Sequence, residues 1–237
     1  MKPLLLTSLI LFLIIISFFS YIAFAQNSIK KSITTNDGDY VVLVHGLGRS
    51  SKSMILLGRT LQKNGYQIIN VDYPSTQDTI KNLVDNHLKK QIKPALNDKT
   101  KNIHFVTHSM GGIIVRYYLE HNEVPNAQKV IMIAPPNNGS KSADNWSNYS
   151  ISRYVMGPAL QELKTDKTST VNKLPLPDYN VGVIAGKYDH KVPPTSAKLS
   201  DNSNFIIVPS AHTFIMNSRT VKKQILYFLK QGSFRED

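Results

Sequence analysis

A chain of 237 residues is long enough to bury the core of one domain, and the absence of cysteine excludes a disulfide framework. The formal net charge of +12 is strongly positive. The lysines are scattered and are not interleaved with aromatic residues as in a nucleic-acid-binding track, so we expect no nucleic-acid partner. Two interpretations of the charge remain: solvated helix faces that favour solubility, or attraction to anionic membrane surfaces.

The N-terminal segment has the form of an export signal. A short basic start, Met1–Pro3, precedes an apolar run over Leu4–Phe19. Small residues at Ala23 and Ala25 give the A-x-A pattern of a signal-peptidase site. We therefore predict a signal peptide over residues 1–25 and a periplasmic or secreted domain over residues 26–237. The alternative is an uncleaved membrane anchor, because the apolar run approaches the length needed to cross a bilayer.

Short apolar runs rich in Val and Ile alternate with amphipathic stretches along the rest of the chain. This alternation is typical of an α/β fold with a mostly parallel sheet covered on both faces. Six strands are predicted, over Tyr40–His45, Gln67–Tyr73, Asn102–Thr107, Lys129–Ala134, Asn180–Ala185 and Asn204–Pro209. Four flanking helices are predicted, over Lys52–Asn64, Thr79–Leu96, Met110–His121 and Arg219–Lys230.

One connection, from Asn137 to Asn180, is much longer than a plain crossover requires. It is rich in Ser, Asn and Pro and contains the only tryptophan of the chain, Trp146. We predict a lid-like insertion over about residues 137–180. Its aromatic residues either line an acyl-binding wall or simply pack the loop onto the sheet.

Ser109 is the candidate nucleophile. The segment Thr107–Gly112 follows a predicted strand directly and leads into a predicted helix. A sharp strand-to-helix turn exposes the serine hydroxyl above the sheet, where the helix N-terminus offers N–H groups to a developing oxyanion. Thr107 stands where glycine is commonest in the G-x-S-x-G motif, so we expect strain there but not loss of function. The alternative is a serine that only caps the helix.

The motifs Val44–Gly48 and His108–Gly112 resemble those of the α/β-hydrolase superfamily, and within it bacterial lipases and esterases. This resemblance covers about Tyr40 to Leu229. It implies that the backbone N–H groups of Leu47 and Met110 form the oxyanion hole.

The resemblance also requires an acid and a histidine after Ser109, in that order. His212 lies between the last predicted strand and the last helix, where the family has its catalytic histidine. Asp189 follows the preceding strand at once and is the candidate acid, with Asp178 and Asp201 as alternatives. Asp72 precedes the nucleophile and breaks the expected order.

No spacing of histidines and carboxylates matches a metal motif, and no phosphate-binding loop occurs, so we expect neither a metal nor a cofactor. The sequence thus predicts a secreted serine hydrolase that cleaves carboxylic esters, with a small-molecule or lipid ester as substrate. A thioesterase, amidase or acyltransferase would use the same residues. A non-catalytic binding protein on this scaffold is the remaining alternative.

Overall fold

A computed structural model describes residues 37–200 and 204–235. The predicted signal peptide over residues 1–25, and the cleavage site after Ala25, lie outside these ranges and stay predictions. Within the described part of the chain, no helix is both long enough and apolar enough to span a membrane.

All six predicted strands are present and form one parallel sheet in the order β2-β1-β3-β4-β5-β6. The two central strands, β3 and β4, each have a neighbouring strand on both sides, and β3 is buried along its whole length. This burial explains why its sequence is a continuous apolar run. The bounds are β1 Tyr40–Val44, β2 Gln67–Val71, β3 Ile103–His108, β4 Ala127–Ile133, β5 Asn180–Gly186 and β6 Asn204–Val208.

Helices flank the sheet, as predicted. The predicted helix Thr79–Leu96 is a run of short helical segments in which a π-helical turn, Val84–Leu88, separates two α-helical pieces. Two 3-10 helices cover Ser51–Met54 and Ile215–Asn217. The α-helices are α1 Ile55–Gln62, α2 Ile80–Leu83, α3 Lys89–Gln91, α4 Lys93–Asn97, α5 Met110–Glu120, α6 Lys141–Ser147, α7 Ser150–Met156, α8 Ala159–Glu162, α9 Thr170–Lys173, α10 Pro194–Ala197 and α11 Arg219–Gln231.

The core consists of two apolar clusters, one on each face of the sheet. Alternate residues of β1 point to opposite faces, so Val42 joins one cluster and Val41 joins the other. The first cluster includes residues of α2 and α5, and the second includes residues of α1 and α11. This two-sided burial confirms the expected α/β architecture.

The insertion between β4 and β5 is mostly helical and contains α6 to α9. Its two ends are held by one buried side chain, Arg116 of α5. The Arg116 guanidinium donates to the Asn137 side chain at 3.2 Å and to the carbonyl oxygens of Leu174 and Pro175 at 3.1 and 3.0 Å. The predicted role of the insertion as a lid stays a prediction.

Candidate active site

Ser109 lies in the sharp turn between β3 and α5. Its φ of 53° and ψ of −127° belong to a region that non-glycine residues rarely adopt. Two glycines allow the turn to pack closely. A Cβ atom on Gly111 would lie 2.3 Å from the Val44 carbonyl oxygen, and one on Gly46 would lie 2.9 Å from the Ser109 Cβ. Small residues on both sides therefore bring the serine against the end of β1.

Thr107, where the motif most often has glycine, is fully buried within β3. Its hydroxyl oxygen would be 3.3 Å from a Cβ atom on Gly112, so a glycine at 112 leaves room for the threonine. The strain expected at Thr107 is not in its backbone, which is regular strand. Within the described ranges, only Ser109 and Ala134 combine a side chain with a positive φ.

The structure brings Ser109, His212 and Asp189 into one hydrogen-bonded chain. The Nδ1 atom of His212 lies 2.6 Å from the Oδ2 atom of Asp189, and its Nε2 atom lies 3.1 Å from the Ser109 Oγ. A carboxylate only accepts, so Nδ1 carries the proton and Nε2 is left to accept from the Ser109 hydroxyl. This tautomer is the one that a base facing the serine requires.

The carboxylate of Asp189 is buried and held by the backbone of its own loop. Its Oδ1 atom accepts hydrogen bonds from the N–H groups of Lys191 at 3.0 Å and Val192 at 2.8 Å. The loop begins at the carboxyl end of β5, and the Tyr188 N–H donates to the Ser210 carbonyl oxygen at 3.1 Å. These bonds fix the Asp189 carboxylate beneath the His212 ring.

The other candidate carboxylates are placed elsewhere. Asp178 lines a separate cavity with Tyr179 and residues after α5, and Asp201 lies outside the described residues. Asp72 is largely exposed and accepts from the Ser51 N–H at 2.8 Å. No group of three or more His, Cys, Asp or Glu side chains in residues 37–200 and 204–235 is arranged to hold a metal ion.

The two predicted oxyanion donors belong to different elements. Met110 is the first residue of α5, so its N–H has no acceptor within the helix. Leu47 lies in the turn after β1, which closes with an Arg49 N–H bond to the Gly46 carbonyl oxygen at 3.2 Å. The Gly48 N–H is fixed by the Ser75 hydroxyl at 3.0 Å. The assignment of Leu47 and Met110 stays a prediction.

His108 has a contact that the sequence did not reveal. Its Nε2 atom donates a hydrogen bond of 3.0 Å to the backbone carbonyl oxygen of His212. Burial is the main reason that the pKa of His108 falls to about 3, and the nearby His212 adds to the effect. The only sequence signal was that His108 adjoins the nucleophile.

A cavity of about 230 Å³ opens above Ser109 and His212. Most of its apolar wall comes from the insertion, so the insertion lies beside the site. Of the aromatic residues for which a place in this wall was one of two interpretations, Tyr149 and Tyr154 are 66% and 87% exposed and do not line the cavity. The apolar lining residues are Leu47, Pro136, Ala143, Trp146, Met156, Leu160, Leu163 and Val192.

The parallel sheet order and the strained serine turn define an α/β-hydrolase fold. Residues 40–180 match the family model for palmitoyl protein thioesterase, and the chain belongs to this family. The matched range includes Ser109 and ends before Asp189 and His212.

Solved structures share this fold. Phospholipase PlaB from Legionella pneumophila has a TM-score of 0.67 and 18% identity over 82% of this chain, which spans only 59% of the PlaB chain. Lipase BlEst2 from Bacillus licheniformis in its mature form has a TM-score of 0.60 and 17% identity, with 83% and 93% of the two chains covered. A carboxylesterase of Nitrososphaera gargenis has a TM-score of 0.57 and 15% identity, with 83% and 92% covered. A search of curated protein sequences found no match.

Proposed function

We propose that this chain cleaves carboxylic esters of acyl chains through a covalent acyl-enzyme. Ser109 is the nucleophile, His212 is the general base and acid, and Asp189 orients the His212 ring. The observation that carries the proposal is the continuous hydrogen-bonded chain from Asp189 through His212 to Ser109, at the floor of an apolar cavity.

In the first half of the reaction, the Ser109 Oγ attacks the acyl carbonyl carbon while its proton passes to the His212 Nε2. The carbonyl oxygen becomes an oxyanion that accepts hydrogen bonds from the Leu47 and Met110 N–H groups. The tetrahedral intermediate then collapses, the bond to the leaving oxygen breaks, and the leaving alkoxide takes the proton from His212. Water repeats these steps on the acyl-enzyme and releases the acid.

Asp189 acts through His212. Its carboxylate accepts the Nδ1 proton, which selects the productive tautomer and stabilises the imidazolium formed during attack. Because the Lys191 and Val192 N–H groups already hold the other carboxylate oxygen, the Asp189 side chain has one orientation available.

The cavity favours an acyl chain of medium length. Its volume of about 230 Å³ is below the range typical of drug-sized ligands, and its walls are mostly apolar. Trp146 and Met156 contribute to these walls from the insertion. The segment Pro135–Ser140, which resembles a stretch in lipases acting on acylglycerols, also favours a lipid ester over a peptide.

Thioester cleavage is the second candidate, and the match to the palmitoyl protein thioesterase family supports it. The same side chains serve both reactions, since only the leaving atom differs. A matched octanoyl ester and octanoyl thioester, compared by kcat/KM, decide between the two substrates. An added alcohol as acceptor distinguishes a hydrolase from an acyltransferase.

Contact with a lipid surface forms part of the proposal, together with export of the protein. The insertion, which contributes to the cavity wall, exposes several large apolar side chains, and the chain has a formal charge of +12. Anionic lipid vesicles should therefore raise the rate of ester cleavage. The increase should weaken in high salt, because the Debye length falls to ~3 Å at 1 M. The exposed residues are Trp146, Tyr149, Ile151, Tyr154 and Val155.

The test combines covalent labelling with turnover. The purified protein should react with a fluorophosphonate probe at Ser109 and hydrolyse p-nitrophenyl octanoate. Ser109→Ala should abolish labelling and lower kcat by roughly a millionfold. Ser53→Ala is the matched control, since Ser53 lies in a 3-10 helix and does not line the cavity. Wild-type labelling in the Ser109→Ala protein would refute the assignment.

A further inference from the structure

Two cationic residues line the same small cavity as Ser109. Arg49 comes from the turn after β1, and Lys191 comes from the loop after β5. In the sheet, β1 and β5 lie on opposite sides of the β3–β4 pair, and Ser109 follows β3. The two cations therefore approach the serine from opposite sides.

The cavity lining contains no acidic side chain to balance these charges. Asp189 is buried beneath His212 and is not part of the lining. Over the ranges that the structure describes, neither Arg49 nor Lys191 forms an ion pair, whereas Lys81, Lys89 and Lys101 do. The lining of the cavity thus carries two positive charges that form no ion pair in the described residues.

The charge of Arg49 acts on His108, which adjoins the nucleophile. Burial is the main cause of the lowered pKa of His108, followed by the charge of His212, and the charge of Arg49 lowers this pKa further. The His108 ring contacts the His212 ring. An adjoining groove beyond Arg49 contains the Asp72 carboxylate, which disfavours an anion there. An anion is therefore favoured on the Ser109 side of Arg49.

On the basis of the proposed function, we propose that Arg49 and Lys191 bind a phosphate located a few bonds from the scissile ester, so that the substrate is an acyl ester of glycerol phosphate. The small cavity explains this choice, because cations that line it lie near the reacting carbonyl. In a glycerophospholipid, the phosphate is close to the acyl ester. In an acyl coenzyme A, a long pantetheine arm separates the phosphates from the thioester.

Arg49 provides a planar donor fork that suits a phosphate, and Lys191 provides a mobile point charge. Removing one charge-assisted hydrogen bond lowers affinity by about tenfold to a hundredfold. The loss should fall on the phosphorylated substrate, because a neutral ester offers no anion to bind. The ratio of kcat/KM values for the two substrates is therefore the quantity to measure.

The test compares mono-octanoylglycerol with mono-octanoylglycerol phosphate, both as monomers below the concentration at which they aggregate. This condition removes any general attraction to anionic surfaces. The wild type should prefer the phosphorylated ester by about tenfold or more, and Arg49→Gln and Lys191→Gln should each lower that preference about tenfold. Lys187→Gln is the matched control, since Lys187 belongs to the same loop as Lys191 and does not line the cavity. It should leave the preference unchanged.

Three outcomes would overturn the inference: equal kcat/KM values for the two esters in the wild type, a preference that survives in the Arg49→Gln Lys191→Gln double variant, or an equal loss in Lys187→Gln. If Arg49→Gln and Lys191→Gln lowered kcat/KM for octanoyl coenzyme A more than for mono-octanoylglycerol phosphate, the two cations would bind the phosphates of an acyl coenzyme A, and the inference would be wrong. Failure of the proposed function is distinguishable, because the protein would then hydrolyse neither glycerol ester and Ser109 would not react with the fluorophosphonate.

Discussion

The imidazole ring of His108 packs against the ring of His212, with the two ring centroids 4.9 Å apart. The pKa of His108 falls to about 3, mainly because the ring is buried, so this ring is neutral at physiological pH. A neutral neighbour allows His212 to accept a proton without a second positive charge beside it. In the neutral ring, the hydrogen bond to the His212 carbonyl oxygen also fixes the proton on Nε2.

This contact predicts that His108 is a positioning residue for His212. His108→Leu should lower kcat on p-nitrophenyl butyrate by about a hundredfold, because small displacements of a catalytic group have effects of that size. His108→Gln retains an N–H donor and should recover most of the activity. KM should change little in either variant. An unchanged kcat in His108→Leu would show that His212 is held by other contacts.

The same burial predicts a pH-dependent stability. In the unfolded chain, a histidine binds a proton below about pH 6.5, whereas His108 in the folded protein binds one only near pH 3. The folded state therefore loses stability as the pH falls through this window, by up to ~1.4 kcal/mol per pH unit from this group. His108→Gln should flatten the curve of unfolding free energy against pH, as measured by urea denaturation. Parallel curves for the two proteins would contradict the prediction.

Replacing the acid should impair catalysis far more than folding. Asp189→Asn should lower kcat by about 10⁴, because the amide favours the unproductive His212 tautomer. The amide oxygen still accepts from the Lys191 and Val192 N–H groups, so the thermal midpoint should move little. Asp178→Asn is the matched control and should retain wild-type kcat. A larger loss of kcat in Asp178→Asn than in Asp189→Asn would show that Asp178, and not Asp189, orients His212.

The cavity wall predicts a dependence on acyl-chain length. Trp146→Ala should raise KM for p-nitrophenyl octanoate by about tenfold, because it removes apolar surface that a long chain contacts. KM for the acetate ester should change little, since a short chain does not reach that wall. Tyr154→Ala provides the comparison, because Tyr154 is in the same insertion and does not line the cavity. Equal changes for both chain lengths would indicate a structural role.

The N-terminal segment predicts processing on export. The intact mass of the exported protein should correspond to an N-terminus at Gln26. Ala25→Arg should block cleavage and increase the precursor, because signal peptidase requires small residues at its site. Full-length wild-type protein retained with membranes would instead favour the anchor interpretation.

The sheet could be predicted from the sequence because its strands are buried on both faces. Such strands are short runs of Val and Ile, and the predicted bounds differ from the observed ones by one or two residues at most strand ends. The convergence of Ser109, Asp189 and His212 followed from the same topology. Each lies beyond the carboxyl end of a parallel strand, and these ends meet at one edge of the sheet.

The insertion was harder to predict, because tertiary contacts decide its structure. Its helices are short and rich in Ser and Asn, which give a weak periodic signal. A loop-like composition therefore concealed four helical segments. The presence of Arg49 in the cavity lining was also not predicted, because a charged residue after a turn usually only faces solvent.

Arg116 has a consequence for the way the molecule unfolds. Its buried guanidinium has carbonyl and amide oxygens as partners at both ends of the insertion. Replacing the insertion with a segment that covers Arg116 but lacks these acceptors would leave a buried charge without partners, which is strongly destabilising. The sheet and the insertion should therefore melt in one cooperative transition. The insertion cannot be exchanged between relatives as a module, and a chimaera will fold only if it keeps Arg116 together with both of the segments that Arg116 holds.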